Sequence, residues 1–163
     1  MCGETTSLLP SRDTNSISDN LKKISSTQPC GFQRKIRGLS ELSYFKGSEF
    51  RVFILYSGPF VLKDILPSHK YNHFLLLHVA ILILTHTTLC QTQTALATSM
   101  IREFVTGFAE IYGKHHVTYN MHCLIHLGED VEQFGNLDNY SAFEFESLYV
   151  CHKAIFANTK SST

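Results

Sequence analysis

Two histidines and a cysteine in the last third of the chain have the spacing of metal ligands. His122 and His126 are four residues apart, which places both imidazoles on the same face of a helix. With Cys123, and with Cys151 and His152 if folding brings them near, they form a donor set that suits tetrahedral Zn²⁺. The alternative is that both histidines are partly buried and hydrogen-bonded, and that the cysteines are small core residues.

Three basic side chains form a second candidate site. Arg34, Lys35 and Arg37 lie in the segment GFQRKIRG, residues 31–38. Such a strip can contact the phosphates of DNA and position it without reading its sequence. The alternative is a solvated linker without a ligand, and a chain that is otherwise electrically neutral favours it.

The histidine pair requires a helix, and the surrounding residues predict one. Apolar side chains recur there with helical spacing, and Gly135 follows the last of them, at the position where a helix usually ends. These side chains are Met121, Leu124, Ile125, Leu127, Val131 and Phe134.

Helical patterns also cover most of the chain before this segment. They predict helices over residues 39–56, divided or kinked at Gly47, and over residues 69–86 and 94–112. No alternation typical of strands interrupts them, so the predicted fold is all-α, a compact bundle of about five or six helices. The predicted core contains Phe74, Leu77, Ala80, Ile81, Leu84, Phe104, Phe108, Leu124 and Leu127.

The beginning of the chain has a different composition. Residues 1–29 are rich in serine and threonine and contain few large apolar side chains. This composition predicts a disordered tail over residues 1–29, outside the core, followed by a helical domain over residues 30–163.

Charge, cysteine content and hydropathy narrow the class of protein further. Fourteen basic residues balance 14 acidic ones, so net charge does not indicate a nucleic acid or a membrane as partner. Five cysteines without CxxC spacing argue against a disulfide framework and predict an intracellular protein in a reducing compartment. The most apolar run, residues 74–84, is well short of the roughly 20 residues that a membrane-spanning helix needs.

Several motifs in order along the chain carry a family resemblance. They cover about residues 30–149 and include HFLLLHVAI at residues 73–81, YNMHCLIHL at 119–127, FGNLD at 134–138 and SAFEFE at 141–146. This order resembles the carboxyl-terminal region of CACTA (En/Spm-like) DNA-transposon transposases and their uncharacterised animal relatives, a transposase-associated domain of unknown function. The chain departs from the family after Glu146, where a helix rich in lysine and arginine is usual.

The resemblance implies a DDE-type transposase, in which three carboxylates hold two Mg²⁺ ions for attack on a phosphodiester. Glu146 is the candidate for the third acid, and Asp138 is the aspartate that could approach it. The family's first two acids lie on strands, and no strand-rich segment is visible here. We therefore expect a truncated, transposable-element-derived protein in the nucleus, with DNA as the implied partner, without a cofactor and without catalysis of its own. The alternative is a helical module that binds protein or DNA or forms a homodimer.

Overall fold

The computed structural model describes residues 9–29, 32 and 34–139, and this part of the chain is helical and contains no strand. The prediction of an all-α fold is confirmed. Its α-helices are α1 Ser11–Thr27, α2 Gly47–Val52, α3 Gly58–Leu62, α4 Ser68–Thr85, α5 Leu89–Thr92, α6 Thr94–Tyr112, α7 Tyr119–Cys123 and α8 Leu127–Phe134. A π-helical turn, Phe53–Ser57, joins α2 to α3, and a 3-10 turn, Leu124–His126, joins α7 to α8. The described part therefore forms six continuous helical stretches, besides three further 3-10 turns.

The centre of the bundle is the pair α4 and α6. Helix α4 is apolar on nearly every side, and it buries residues over its whole length. Helix α6 packs against it with Phe104 and Phe108, which are both fully buried. It ends at Gly113, whose φ of 100° is a conformation that residues with a side chain rarely adopt. All nine residues predicted to form the core are buried.

One backbone carbonyl of the π-helical turn accepts a hydrogen bond from a side chain of α4. Within this turn the N–H of Gly58 donates to the carbonyl of Phe53, five residues earlier. The same pattern would assign the carbonyl of Ile54 to Pro59, which has no N–H. Instead His78 Nδ1 lies 2.7 Å from the Ile54 oxygen, and it must donate because a carbonyl only accepts. This contact explains a histidine in the middle of an apolar helix.

The prediction of a disordered tail over residues 1–29 is wrong for α1. Its residues Ile17 and Leu21, one turn apart, are fully buried in the core, and the Ser18 hydroxyl accepts a hydrogen bond from the N–H of Leu39 at 2.8 Å. The serine-rich composition did not indicate this amphipathic helix. A narrow apolar stripe is sufficient to hold a helix in the fold when a neighbouring surface covers that stripe. Residues 1–8 and 140–163 lie outside the described residues.

Helix α8 approaches α6 very closely at a glycine. A side chain at Gly128 would clash with the hydroxyl of Thr98 on α6. The glycine therefore sets how closely α8 packs on the bundle, and with it the position of the preceding turn. In the described residues, no helix combines the length and the apolar character that crossing a membrane requires.

The packing of α4 predicts unequal effects at two neighbouring positions. Ile81 is fully buried, whereas Leu82 is 40% exposed. Ile81→Ala is expected to lower the free energy of unfolding by about 2–5 kcal/mol, because it removes buried methyl groups and leaves a cavity. Leu82→Ala is the matched control and should cost about 0.5 kcal/mol or less. Equal losses in urea unfolding followed by circular dichroism would contradict this packing.

Candidate functional site

The histidine pair lies on the outer surface of the segment formed by α7, the 3-10 turn and α8. The inner face of this segment buries Met121, Leu124 and Val131 against the bundle. His122 and His126 point the other way and are exposed, with ring centroids 5.5 Å apart and ring planes at 79°. Solvent therefore reaches both rings, and the His126 side chain is about half exposed, at 52%.

A carboxylate determines which nitrogen of His126 carries the proton. Nδ1 of His126 lies 3.2 Å from Oε2 of Glu129. An ionised carboxylate can only accept a hydrogen bond, so Nδ1 carries the hydrogen. In the neutral ring the lone pair is then on Nε2, which is the nitrogen left for a ligand.

The third predicted ligand does not join the histidines. Cys123 is adjacent to His122 on the helix, so the two side chains diverge. Interaction with Cys123 raises the pKa of Tyr119. Cys151 and His152 lie outside the described residues. Among the described residues, no group of three histidine, cysteine or acidic side chains is close enough to hold a metal ion. The set His122, Cys123 and His126 is thus reduced to the two histidines.

Arg37 does not belong to the basic strip, because a buried carboxylate holds its guanidinium. Nε and one terminal nitrogen contact the two oxygens of Glu49 at 2.8 and 2.7 Å, and Glu49 is 1% exposed. Burial opposes ionisation of this carboxyl, but hydrogen bonds from Arg37 and from the Lys46 N–H outweigh it and lower the pKa of Glu49. The predicted phosphate contact at Arg37 is therefore corrected to a structural ion pair. Arg34 and Lys35 are exposed.

The carboxylates implied for Mg²⁺ are not assembled in the described part of the chain. Asp138 forms an ion pair with Arg51 at 2.7 Å, so its charge is already neutralised. Glu146 lies outside the described residues. A pair of Mg²⁺ ions needs several converging carboxylate oxygens, and the described residues do not supply that donor set.

Sequence reasoning missed an aromatic surface beside the basic strip. Phe32 and Tyr56 meet edge to face with ring centroids 5.5 Å apart. Phe60 follows one turn later on the same helical stretch and is 77% exposed, while Tyr56 is 49% exposed. Phe32 is partly buried and lies two residues before Arg34 in the sequence, where Arg34 and Lys35 are both exposed. The signal was the spacing of Tyr56 and Phe60, four residues apart, but the pattern alone does not say which side faces the solvent.

A second missed residue is His73, which is buried between α4 and α6. Its ring stacks on Phe104 with centroids 4.4 Å apart, and Nε2 donates to the Phe104 carbonyl at 2.9 Å. Burial disfavours the charged ring and lowers the pKa of His73, and the hydrogen bond to the carbonyl only partly offsets this. His73 is therefore a neutral structural residue.

No protein-family model, curated protein or solved structure matches the chain. The class of protein that the described residues define is an all-α bundle.

The lowered pKa of His73 predicts a dependence of stability on pH. In the unfolded chain the pKa returns to its ordinary value of 6.5, so at a pH below this value the unfolded chain binds more protons than the folded protein. The stability that neutral His73 contributes is fully present above pH 6.5 and declines as the pH falls toward the folded pKa. We expect His73→Gln to be less stable than the unmodified protein at about pH 7.5, with a smaller difference at about pH 5.5.

Urea unfolding at both pH values measures this difference. His69→Gln is the control, because His69 is an exposed histidine near the start of the same helix. The stability of His69→Gln should depend on pH in the same way as the stability of the unmodified protein. A His73→Gln difference that is the same at both pH values would contradict the neutral, buried state of His73.

Proposed function

We propose that the chain is a helical module derived from a CACTA-type transposase, that it has no catalysis of its own, and that it binds nucleic acid. The observation that carries the binding proposal is the pair of exposed rings Tyr56 and Phe60, together with the partly buried Phe32 that contacts Tyr56 and is followed in sequence by the exposed Arg34 and Lys35. We call this region the aromatic–basic surface. The motif resemblance supports the origin, and DNA in the nucleus is the ligand and location that go with it.

The aromatic part of this surface suits unpaired bases. An exposed ring offers a flat face on which a base can stack whatever its identity. Phe60 leaves 77% of its surface in solvent, so a base meets it without any rearrangement of the core. Neighbouring exposed apolar side chains mark an interaction surface more often than a single exposed side chain does. Stacking therefore favours a single strand over a duplex, whose bases are already stacked.

The charged part of the surface suits phosphates. Arg34 and Lys35 are exposed next to Phe32, and Lys63 is exposed at the end of the helical stretch that carries Phe60. The exposed Asp64 follows Lys63 in the sequence, and the whole chain is electrically neutral. A surface that combines cations with aromatic rings can bind a backbone and its bases together.

The binding proposal predicts a loss of affinity in a variant of Phe60. Base stacking on one aromatic ring contributes about 1–3 kcal/mol, so Phe60→Ala is expected to weaken binding of a single strand roughly 5- to 150-fold. Fluorescence anisotropy with a labelled single-stranded oligonucleotide, and with its duplex for comparison, measures the dissociation constants. Replacing both Arg34 and Lys35 by Gln should also weaken binding and reduce its dependence on salt.

Tyr119→Ala is the matched control for Phe60→Ala. Tyr119 is 79% exposed, close to the value for Phe60, but it lies on α7. It should leave the affinity unchanged, and equal losses in both variants would contradict the proposed surface. If neither oligonucleotide binds, and light scattering instead finds a dimer that Phe60→Ala dissociates, the surface is a contact between two copies and the nucleic-acid proposal is wrong.

The proposed lack of catalysis is tested separately. Purified chain incubated with supercoiled plasmid and Mg²⁺ or Mn²⁺ is expected to leave the plasmid uncut, because two-metal chemistry needs several carboxylates around the ions. The matched variant is Glu146→Gln, which removes the charge of the candidate acid and keeps its size. Nicking by the unmodified chain that disappears in Glu146→Gln would show a complete active site and overturn this part of the proposal.

A further inference from the structure

The two exposed histidines have the geometry of a chelating pair. A metal ion about 2.1 Å from one nitrogen of each ring lies about 3.2 Å from each ring centroid. Two centroids that share such an ion at an angle between tetrahedral and trigonal are then about 5–5.5 Å apart. His122 and His126 have a centroid separation of 5.5 Å. A separation of this size allows one ion to reach a nitrogen of each ring.

The segment that carries the pair is well anchored. Leu124 lies between the two histidines in sequence, and it is 1% exposed, on the opposite face. The clash that a side chain at Gly128 would make with Thr98 shows how tightly the following helix is seated. A chelating pair on such a support needs little ordering when it binds an ion, and this favours binding.

Glu129 holds His126 in the tautomer whose Nε2 can bind a metal ion. Histidine ligands in metal sites commonly donate their second N–H to a carboxylate, which fixes the tautomer and increases the basicity of the ligating nitrogen. The contact from His126 Nδ1 to Glu129 Oε2 at 3.2 Å is of this kind, and it leaves Nε2 for the ion. This carboxylate is three residues after His126 and was not part of the ligand set predicted from sequence.

We propose that His122 and His126 form a two-histidine binding site for a divalent first-row transition metal ion of the Zn²⁺ or Ni²⁺ type, with Glu129 as the positioning residue. Imidazole nitrogen is a preferred ligand of these ions and a poor one for Mg²⁺ or Ca²⁺. Water fills the remaining coordination positions, because the described residues supply no third ligand. The site is independent of the aromatic–basic surface and of nucleic-acid binding.

Competition with a chromophoric chelator, using Zn²⁺ and Ni²⁺ alone and a reducing agent to keep the thiols free, measures this affinity. His122→Ala and His126→Ala are each expected to abolish binding, since a single imidazole does not chelate. Glu129→Ala should weaken it about tenfold, at the lower end of what loss of such a partner costs, because the contact is exposed to solvent. The metal should also raise the melting temperature of the unmodified protein and of neither histidine variant.

Two matched controls separate this site from its neighbours. Cys123→Ala should leave the affinity unchanged, because side chains at adjacent helix positions diverge and no described group of three ligands includes the thiol. His115→Ala tests a second pair of histidines, His115 and His116, whose ring centroids are 4.0 Å apart, and it should also leave the affinity unchanged. Binding that survives both His122→Ala and His126→Ala overturns the proposal, and so does binding that depends on Cys123 or His115.

Discussion

The fold depends on covering α4, a helix that is apolar on nearly every side. Such a helix is stable only when neighbours exclude water from several of its faces, and α6 and the stretch from α2 to α3 do so. Two histidines of α4 fix how these neighbours sit. His73 donates to a carbonyl of α6, and His78 donates to the carbonyl that Pro59 leaves unpaired in the π-helical turn. Apolar burial supplies most of the stability, and these two directional contacts select one arrangement of the helices.

Polar contacts then fasten the first part of the chain to this core. Glu49 is buried because Arg37 and the N–H of Lys46 satisfy its oxygens, and a buried carboxylate without such partners would be strongly unfavourable. The side chain of Gln28 bonds the backbone at Arg34 and Ile36, which ties the connection to the end of α1. Because Arg37 is directed inward, Arg34 and Lys35 remain the outward cations of this segment.

The bundle presents two chemically different surfaces. The aromatic–basic surface lies on the first half of the chain, and the histidine pair lies on the segment of α7 and α8. Phe60 and the histidine pair are each carried by a helical stretch that also contains buried residues. In proteins generally, function belongs to particular sites rather than to the fold that carries them. The two can therefore be altered independently, with the core unchanged.

The sequence by itself determined the helical class and much of the core, because helical periodicity records which face of each helix is apolar. The predicted helix over residues 94–112 has the observed bounds, and the one over residues 69–86 differs by one residue at each end. Only the tertiary structure decided the rest. The narrow apolar stripe of Ile17 and Leu21 is buried only because a neighbouring surface covers it. Arg37 is a structural cation because folding buries the carboxylate of Glu49, twelve residues later, against its guanidinium. Likewise, the folded chain does not group Cys123 with the two histidines, and it places Glu129 beside His126. Local spacing restricts which residues can be neighbours, whereas packing against the rest of the chain determines which side chains face outward and meet.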